Sequence, residues 1–173
     1  MRNGRCRRQP AFTLVEILIV VLVLMIAAAI VIPNIGSAGD SRVTSAARIL
    51  QADMEVARSL AMTTQQPYSV VFSPDFQSYK VVANYAGAPY ALAVAVGHPV
   101  NRGRPFEVTV GSLNGMDDVR ILGADFGGQS YATFKSLGDP VAAGSVLLQS
   151  GNIVMTVSVE GLTGIITATR AGG

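Results

Sequence analysis

The sequence predicts an α+β fold in which a long N-terminal helix, membrane-spanning over its first part, packs on an antiparallel β-sheet or sandwich domain. Three observations predict it. Residues 12–32 form an apolar run broken by one charge, residues 43–61 carry an amphipathic helical stripe, and after Pro67 the chain breaks into short segments punctuated by turns. The composition agrees, since 50% of the 173 residues are hydrophobic and 14% charged, which excludes disorder and points to membrane contact. The chain divides into a basic leader (1–11), an apolar helix (12–32), a linker with an amphipathic helix (33–66) and a β domain (67–173).

The leader holds Arg2, Arg5, Arg7 and Arg8, placed where targeting segments concentrate positive charge. The whole chain has 13 Lys and Arg against 11 Asp and Glu, a formal charge of +2. Removing residues 1–11 takes away those four arginines and leaves 9 cations against 11 anions, a side-chain sum of −2. The remaining chain therefore gives no reason to seek an acidic partner. The same cut removes Cys6, the only cysteine, and with it any disulfide or thiolate chemistry.

The apolar run Phe12–Ile32 has Glu16 as its only charge. As a helix its 21 positions reach roughly 30 Å, the thickness of a bilayer core. No small-residue cleavage site follows it, because Pro33, Asn34 and Ile35 come next. The run is thus expected to stay with the protein as an anchor, its Arg-rich side cytoplasmic and the rest of the chain across the membrane. An ionised Glu16 in hydrocarbon costs several kcal/mol without a partner. It either sits at headgroup level, where the helix N-terminus favours it, or finds a positive partner. Pro33 removes a backbone donor and disfavours helical geometry at Ile32, so it marks either the end of the helix or a kink, with Gly36 and Gly39 weakening the same region.

A second helix is expected from a cap at Asp40 or Ser41 to about Thr64. Val43, Ala47, Leu50, Met54, Ala57 and Ala61 fall on one stripe, with Arg48, Gln51, Glu55 and Arg58 largely off it. The stripe either packs on the domain's own sheet or continues the first helix as one spine. Gln65, Gln66 and Pro67 stop it. Strands are expected at Tyr68–Phe72 and Ser78–Ala83, joined as a hairpin across residues 73–77, then at Phe106–Val110, Val119–Leu122, Tyr131–Ser136, Ser145–Gln149, Ile153–Val159 and Ile165–Thr169. Ile153, Met155, Val157 and Val159 alternate with Val154, Thr156 and Ser158, as a sheet with one buried face requires.

No catalytic constellation emerges, and the chain is expected to be neither an enzyme nor a cofactor carrier. His98 is the only histidine and precedes Pro99 in a loop, where solvent exposure is expected. Gly127-Gly128 lacks the Lys and Ser or Thr of a phosphate-binding loop. Asp117, Asp118 and Asp125 lack the spacing of a calcium loop and read as a solvated turn, so no metal is expected. Arg102 and Arg104 form the only compact basic pair after the leader, too few cations for tight binding to phosphates.

The stretch Ala11-Phe12-Thr13-Leu14-Val15-Glu16, between a short basic leader and the apolar run, resembles the type IV pilin and type II secretion pseudopilin superfamily. That resemblance implies a pilin-like fold, cleavage by a prepilin peptidase between Ala11 and Phe12, and N-methylation of Phe12 by the same enzyme. Most members carry Gly before the cut; Ala11 is small enough to take its place. Glu16 then becomes the assembly carboxylate, paired with the free N-terminus of a neighbouring subunit, and Pro33 falls where many pilins bend or melt during assembly. Residues 57–61 (ARSLA), 133–138 (TFKSLG) and 159–164 (VEGLTG) are similar to the GspH/FimT branch of minor pseudopilins. Some members of that branch take up DNA through basic residues near the C-terminal hairpin; this chain has only Arg170 there, so nucleic acid is not an expected partner.

The resemblance implies a minor pseudopilin of a type II secretion pseudopilus, supporting protein export. Its partners would be other pseudopilins or pilins, the prepilin peptidase, the inner-membrane assembly platform and the membrane. It would sit in a bacterial inner membrane with a periplasmic C-terminal domain before joining the filament. Two alternatives stand beside it: a minor pilin of a type IV pilus or DNA-uptake machine, and a membrane-anchored enzyme or ligand-binding domain with an uncleaved anchor.

Overall fold

The computed structural model describes residues 13–31, 38–113 and 115–171. Its first element, α1 (Leu14–Val31), is 18 residues long and apolar apart from Glu16. Among the described residues no helix is long and apolar enough to cross a membrane. Two positions of the expected 21-residue span, Phe12 and Ile32, lie outside the described residues, as do Ala11 and Pro33. The chain divides into two units, Met1–Ala38 and Gly39–Gly173, so the second helix belongs with the strands.

That helix, α2 (Ala38–Thr64), buries Val43, Ala46, Ala47, Leu50, Met54, Ala57 and Ala61. The expected stripe is present, widened by Ala46, and it packs on the domain's own sheets. The helix begins ahead of the expected caps, so Asp40 lies in its first turn, where a carboxylate suits the helix N-terminus and pairs with Arg170 at 3.2 Å. At the other end Gln65 takes a φ of +57°, and the hydroxyls of Thr63 and Thr64 donate to the carbonyls of Ser59 and Leu60. A left-handed residue after the last turn, its Nε2 donating to the otherwise orphan Met62 carbonyl at 2.8 Å, ends the helix before Pro67 does.

Eight strands follow: β1 (Tyr68–Phe72), β2 (Ser78–Ala83), β3 (Glu107–Thr109), β4 (Arg120–Asp125), β5 (Tyr131–Phe134), β6 (Gly144–Ser150), β7 (Ile153–Val159) and β8 (Ile166–Arg170). They form two four-stranded antiparallel sheets, ordered β3-β2-β1-β5 and β4-β6-β7-β8. The β1–β2 hairpin and β7 match their expected limits, and the others shift by one to three residues. The largest shift is at the end of β4, where a register irregularity between Ile121 and Gly123 lets the strand run on to Asp125.

One core joins α2 to the inner faces of both sheets, with Leu50 and Met54 clustered with Val70, Val81, Phe134, Val146, Leu148 and Val157. In β7 Met155, Val157 and Val159 are buried and the residues between them are partly exposed, the period of two that the sequence shows. All five residues of β1 are buried, because the outer face of its sheet is covered as well. There Val71, Val82 and Ala93 pack with Tyr85, Tyr90 and Tyr131 beneath the connection between β2 and β3.

Candidate functional site

Thr13 holds the first turn of α1. Its Oγ1 accepts the Glu16 N–H at 3.2 Å, and its carbonyl accepts the N–H groups of Glu16 at 3.1 Å and Ile17 at 3.3 Å. Thr followed three residues later by Glu is the spacing of a helix-capping pair, so Glu16 stands where the helix N-terminus favours negative charge. Among the described residues no cation pairs with the Glu16 carboxylate. From Leu14 to Ile26 the large apolar side chains are all exposed, from 44% at Val21 to 80% at Leu14. A helix apolar on every face is stable only where something other than water covers it.

The three motifs after α1, far apart in sequence, converge on Arg58 of α2. Its Nε donates to the Gly138 carbonyl and its Nη2 to the Thr163 carbonyl, both at 2.9 Å, while Nη1 lies 3.7 Å from Glu55 Oε2. One guanidinium thus ties the turn after β5 and the turn between β7 and β8 to the helix. Gly164 is obligatory in this arrangement: its φ is +66°, and a Cβ there would lie 2.8 Å from the Gly138 carbonyl oxygen. Each turn is also closed locally. Lys135 pairs with Asp139 at 2.7 Å, a bond that holds the Asp139 carboxyl below the usual range, and Thr163 Oγ1 donates to Glu160 Oε2 at 2.5 Å.

The sequence marks Arg58 as a residue off the apolar stripe and as part of the 57–61 motif, without assigning it a contact. The signal for its role was a flanking arginine combined with glycines in two distant turns.

The other residues weighed from the sequence are used structurally. Asp118 accepts Ser150 Oγ at 2.6 Å and pairs with Arg42 at 3.2 Å, and these bonds lower its pKa. Asp125 Oδ1 accepts the Gly128 N–H at 2.7 Å, closing the turn after β4. Among the described residues no group of three or more His, Cys, Asp or Glu could hold a metal. Arg170 is engaged by Asp40, and Arg102 and Arg104 stay exposed on their loop.

His98 departs from its expected exposure. It is half-buried, its ring 4.6 Å from that of Phe106, because Phe106 enters the core beneath it. Lys80, which the sequence did not single out, is buried on β2. Its Nζ donates to the Ala93 carbonyl at 2.9 Å and lies 4.0 Å from the Tyr90 ring centroid, pinning the β2–β3 connection to the sheet. Burial, together with Glu107, pushes the Tyr90 hydroxyl up to about 12.

A groove of about 520 Å³ opens where β3 ends and β4 begins, lined by Asp75, Phe76, Val119, Arg120 and Ile121 among others. Its lining contains neither histidine nor cysteine, and Asp75 is held by Ser73 Oγ at 2.5 Å.

Residues 6–32 match the prokaryotic N-terminal methylation motif. No curated protein sequence matches the chain. Two kinds of solved structure share its fold. The minor pseudopilin EpsH from the type 2 secretion system of Vibrio cholerae aligns with a TM-score of 0.56 at 10% identity, over 76% of this chain and 99% of that one. The type IV minor pilin FimU of Pseudomonas aeruginosa aligns with a TM-score of 0.51 at 17% identity, over 75% of this chain and 90% of that one. The chain is therefore pilin-like, an N-terminal methylation motif standing ahead of a domain with the fold of minor pseudopilins and minor pilins.

Proposed function

We propose that this chain is a minor pseudopilin, a structural subunit with no catalytic role, which enters a type II secretion pseudopilus through its N-terminal helix. The observation that carries the reading is the methylation motif running directly into a helix with no polar face. Such a helix needs lipid before assembly and other subunits after it. In this reading a prepilin peptidase cuts between Ala11 and Phe12, Phe12 is N-methylated, and residues 12–32 anchor the precursor in the inner membrane with the β domain in the periplasm. The new amino group of one subunit pairs with Glu16 of its neighbour. Both charges are then relieved only when subunits pack, which sets their axial offset. Pro33 is where the helix gives way during that step.

Mass spectrometry of the membrane-purified protein tests the processing, with a mature chain expected to begin at N-methylated Phe12. An intact Met1 with Cys6 retained would overturn it in favour of an anchored enzyme or binding domain. Glu16→Ala should give the same mature N-terminus but be absent from isolated filaments, and normal incorporation would remove the proposed role of that carboxylate.

A second reading, a minor pilin of a type IV pilus, is supported by the likeness to FimU. Deleting the gene separates the two: lost exoprotein secretion with normal piliation supports the pseudopilin, and lost piliation or DNA uptake the pilin.

A further inference from the structure

The connection between β2 and β3 contains a loop, residues 98–104, closed around one side chain. His98 Nδ1 accepts the backbone N–H of Val100 at 3.1 Å and that of Asn101 at 3.2 Å. The ends of the loop are joined by the His98 N–H, which donates to the Arg104 carbonyl at 2.9 Å, and by the Arg104 N–H, which donates to the Asn101 carbonyl at 3.1 Å. A ring nitrogen that accepts two hydrogen bonds carries no proton, so this geometry belongs to the neutral imidazole with its proton on Nε2.

We propose that His98 is a protonation-sensitive clasp: the neutral ring closes the 98–104 loop through the two N–H groups, and protonation of Nδ1 opens it. A proton on Nδ1 turns the only acceptor into a third donor facing two others. Both bonds are lost together, and two backbone N–H groups must find water instead. Histidine makes this change between about pH 5 and 8, where the other side chains of the loop do not titrate.

The surroundings favour a switch in which the loop moves and the ring stays. Asp53 of α2 interacts electrostatically with His98, and Tyr79 of β2 donates to Asp53 Oδ2 at 2.6 Å. Phe106, whose ring centroid lies 4.6 Å from that of the imidazole, is buried and apolar. A charged imidazole therefore keeps an attractive partner on the helix while it repels the loop amides. Arg102 and Arg104 stand on the loop itself, so opening changes how this basic pair and the 81%-exposed Val100 are presented. The clasp is independent of the system the subunit serves.

Nuclear magnetic resonance of the full-length protein in detergent tests it. The chain has a single histidine, so its ring signals need no assignment. At pH 8 the Nδ1 resonance should be that of an unprotonated acceptor, and the Val100 and Asn101 amides should be protected from exchange. Between pH 8 and pH 5 their protection factors should fall about tenfold or more, in step with the ring titration, while core amides of β1 and β7 keep theirs. His98→Asn places an oxygen at the same distance along the side chain, able to accept the same two N–H groups in an Asx-type turn, and it does not titrate. That variant should keep the loop protected down to pH 5. Amide protection that ignores the ring titration in the parent, or a pH-dependent loop that persists in His98→Asn, would overturn the proposal.

Discussion

At the scale of single residues, the carboxylates around the core divide by which effect dominates, hydrogen bonding or burial. Asp75, Asp118 and Asp139 are exposed carboxylates whose pKa values are lowered, by Ser73, Ser150 and Lys135 respectively. Their contribution is present above the ordinary carboxylate range and is lost as pH falls through their lowered values. Asp53 behaves in the opposite way. Burial raises its pKa, against the lowering effects of the Tyr79 hydroxyl and His98. A raised carboxyl contributes stability below its unfolded pKa and loses it as pH rises, so the ionised Asp53 is a net cost at neutral pH. Asp53→Asn keeps an oxygen for Tyr79 and removes the charge. Thermal unfolding at pH 7 should therefore show a higher Tm for the variant, with the gap closing near pH 3, where the parent carboxyl is protonated. An equal or lower Tm at pH 7 would show that the Tyr79 and His98 interactions outweigh burial.

At the scale of elements, α2 acts as the spine on which both sheets are assembled, and Arg58 is its fastening at one end. Arg58→Ala removes two hydrogen bonds from a charged donor and leaves the carbonyls of Gly138 and Thr163 without it. The expected cost is about 2 kcal/mol, or a Tm lowered by roughly 7 °C, read by circular dichroism. Arg58→Lys should recover little of it, because one ammonium cannot span two carbonyls as the guanidinium fork does. Much at this scale was legible beforehand. The stripe from Val43 to Ala61, the β1–β2 hairpin and the alternation in β7 are patterns in neighbouring residues, and they appear where the sequence puts them. What could not be read is non-local. The end of β4 depends on a register change against β6, and the burial of both faces of β1 depends on a distant cover held by Lys80 and three tyrosines. The meeting at Arg58 joins residues 80 and 105 positions apart. No local period encodes such a contact, and the burial of His98 was missed for a related reason, since it comes from the ring of Phe106 across the 98–104 loop.

At the scale of the whole molecule, apolar surface is divided unequally between two units. In the first the large apolar side chains from Leu14 to Ile26 are exposed, and the second buries its own in a core shared by α2 and both sheets. The second unit should therefore fold without the first. A fragment beginning at Gly39 keeps Val43 and every later core residue, and it keeps the pairs Asp40–Arg170 and Arg42–Asp118 that fasten the start of α2. It should be soluble without detergent and unfold cooperatively, with a Tm close to that of the full-length domain. A fragment beginning at Leu50 loses Val43, Ala46 and Ala47, each almost fully buried, and opens a trough along the core that surrounding side chains cannot fill. The expected result is a broad, weakly cooperative transition with loss of the near-ultraviolet signal of the tyrosines. If the Gly39 fragment itself needed detergent or melted without cooperativity, the second unit would depend on the apolar helix for its fold, and the division into an apolar helix and a self-contained domain would fail.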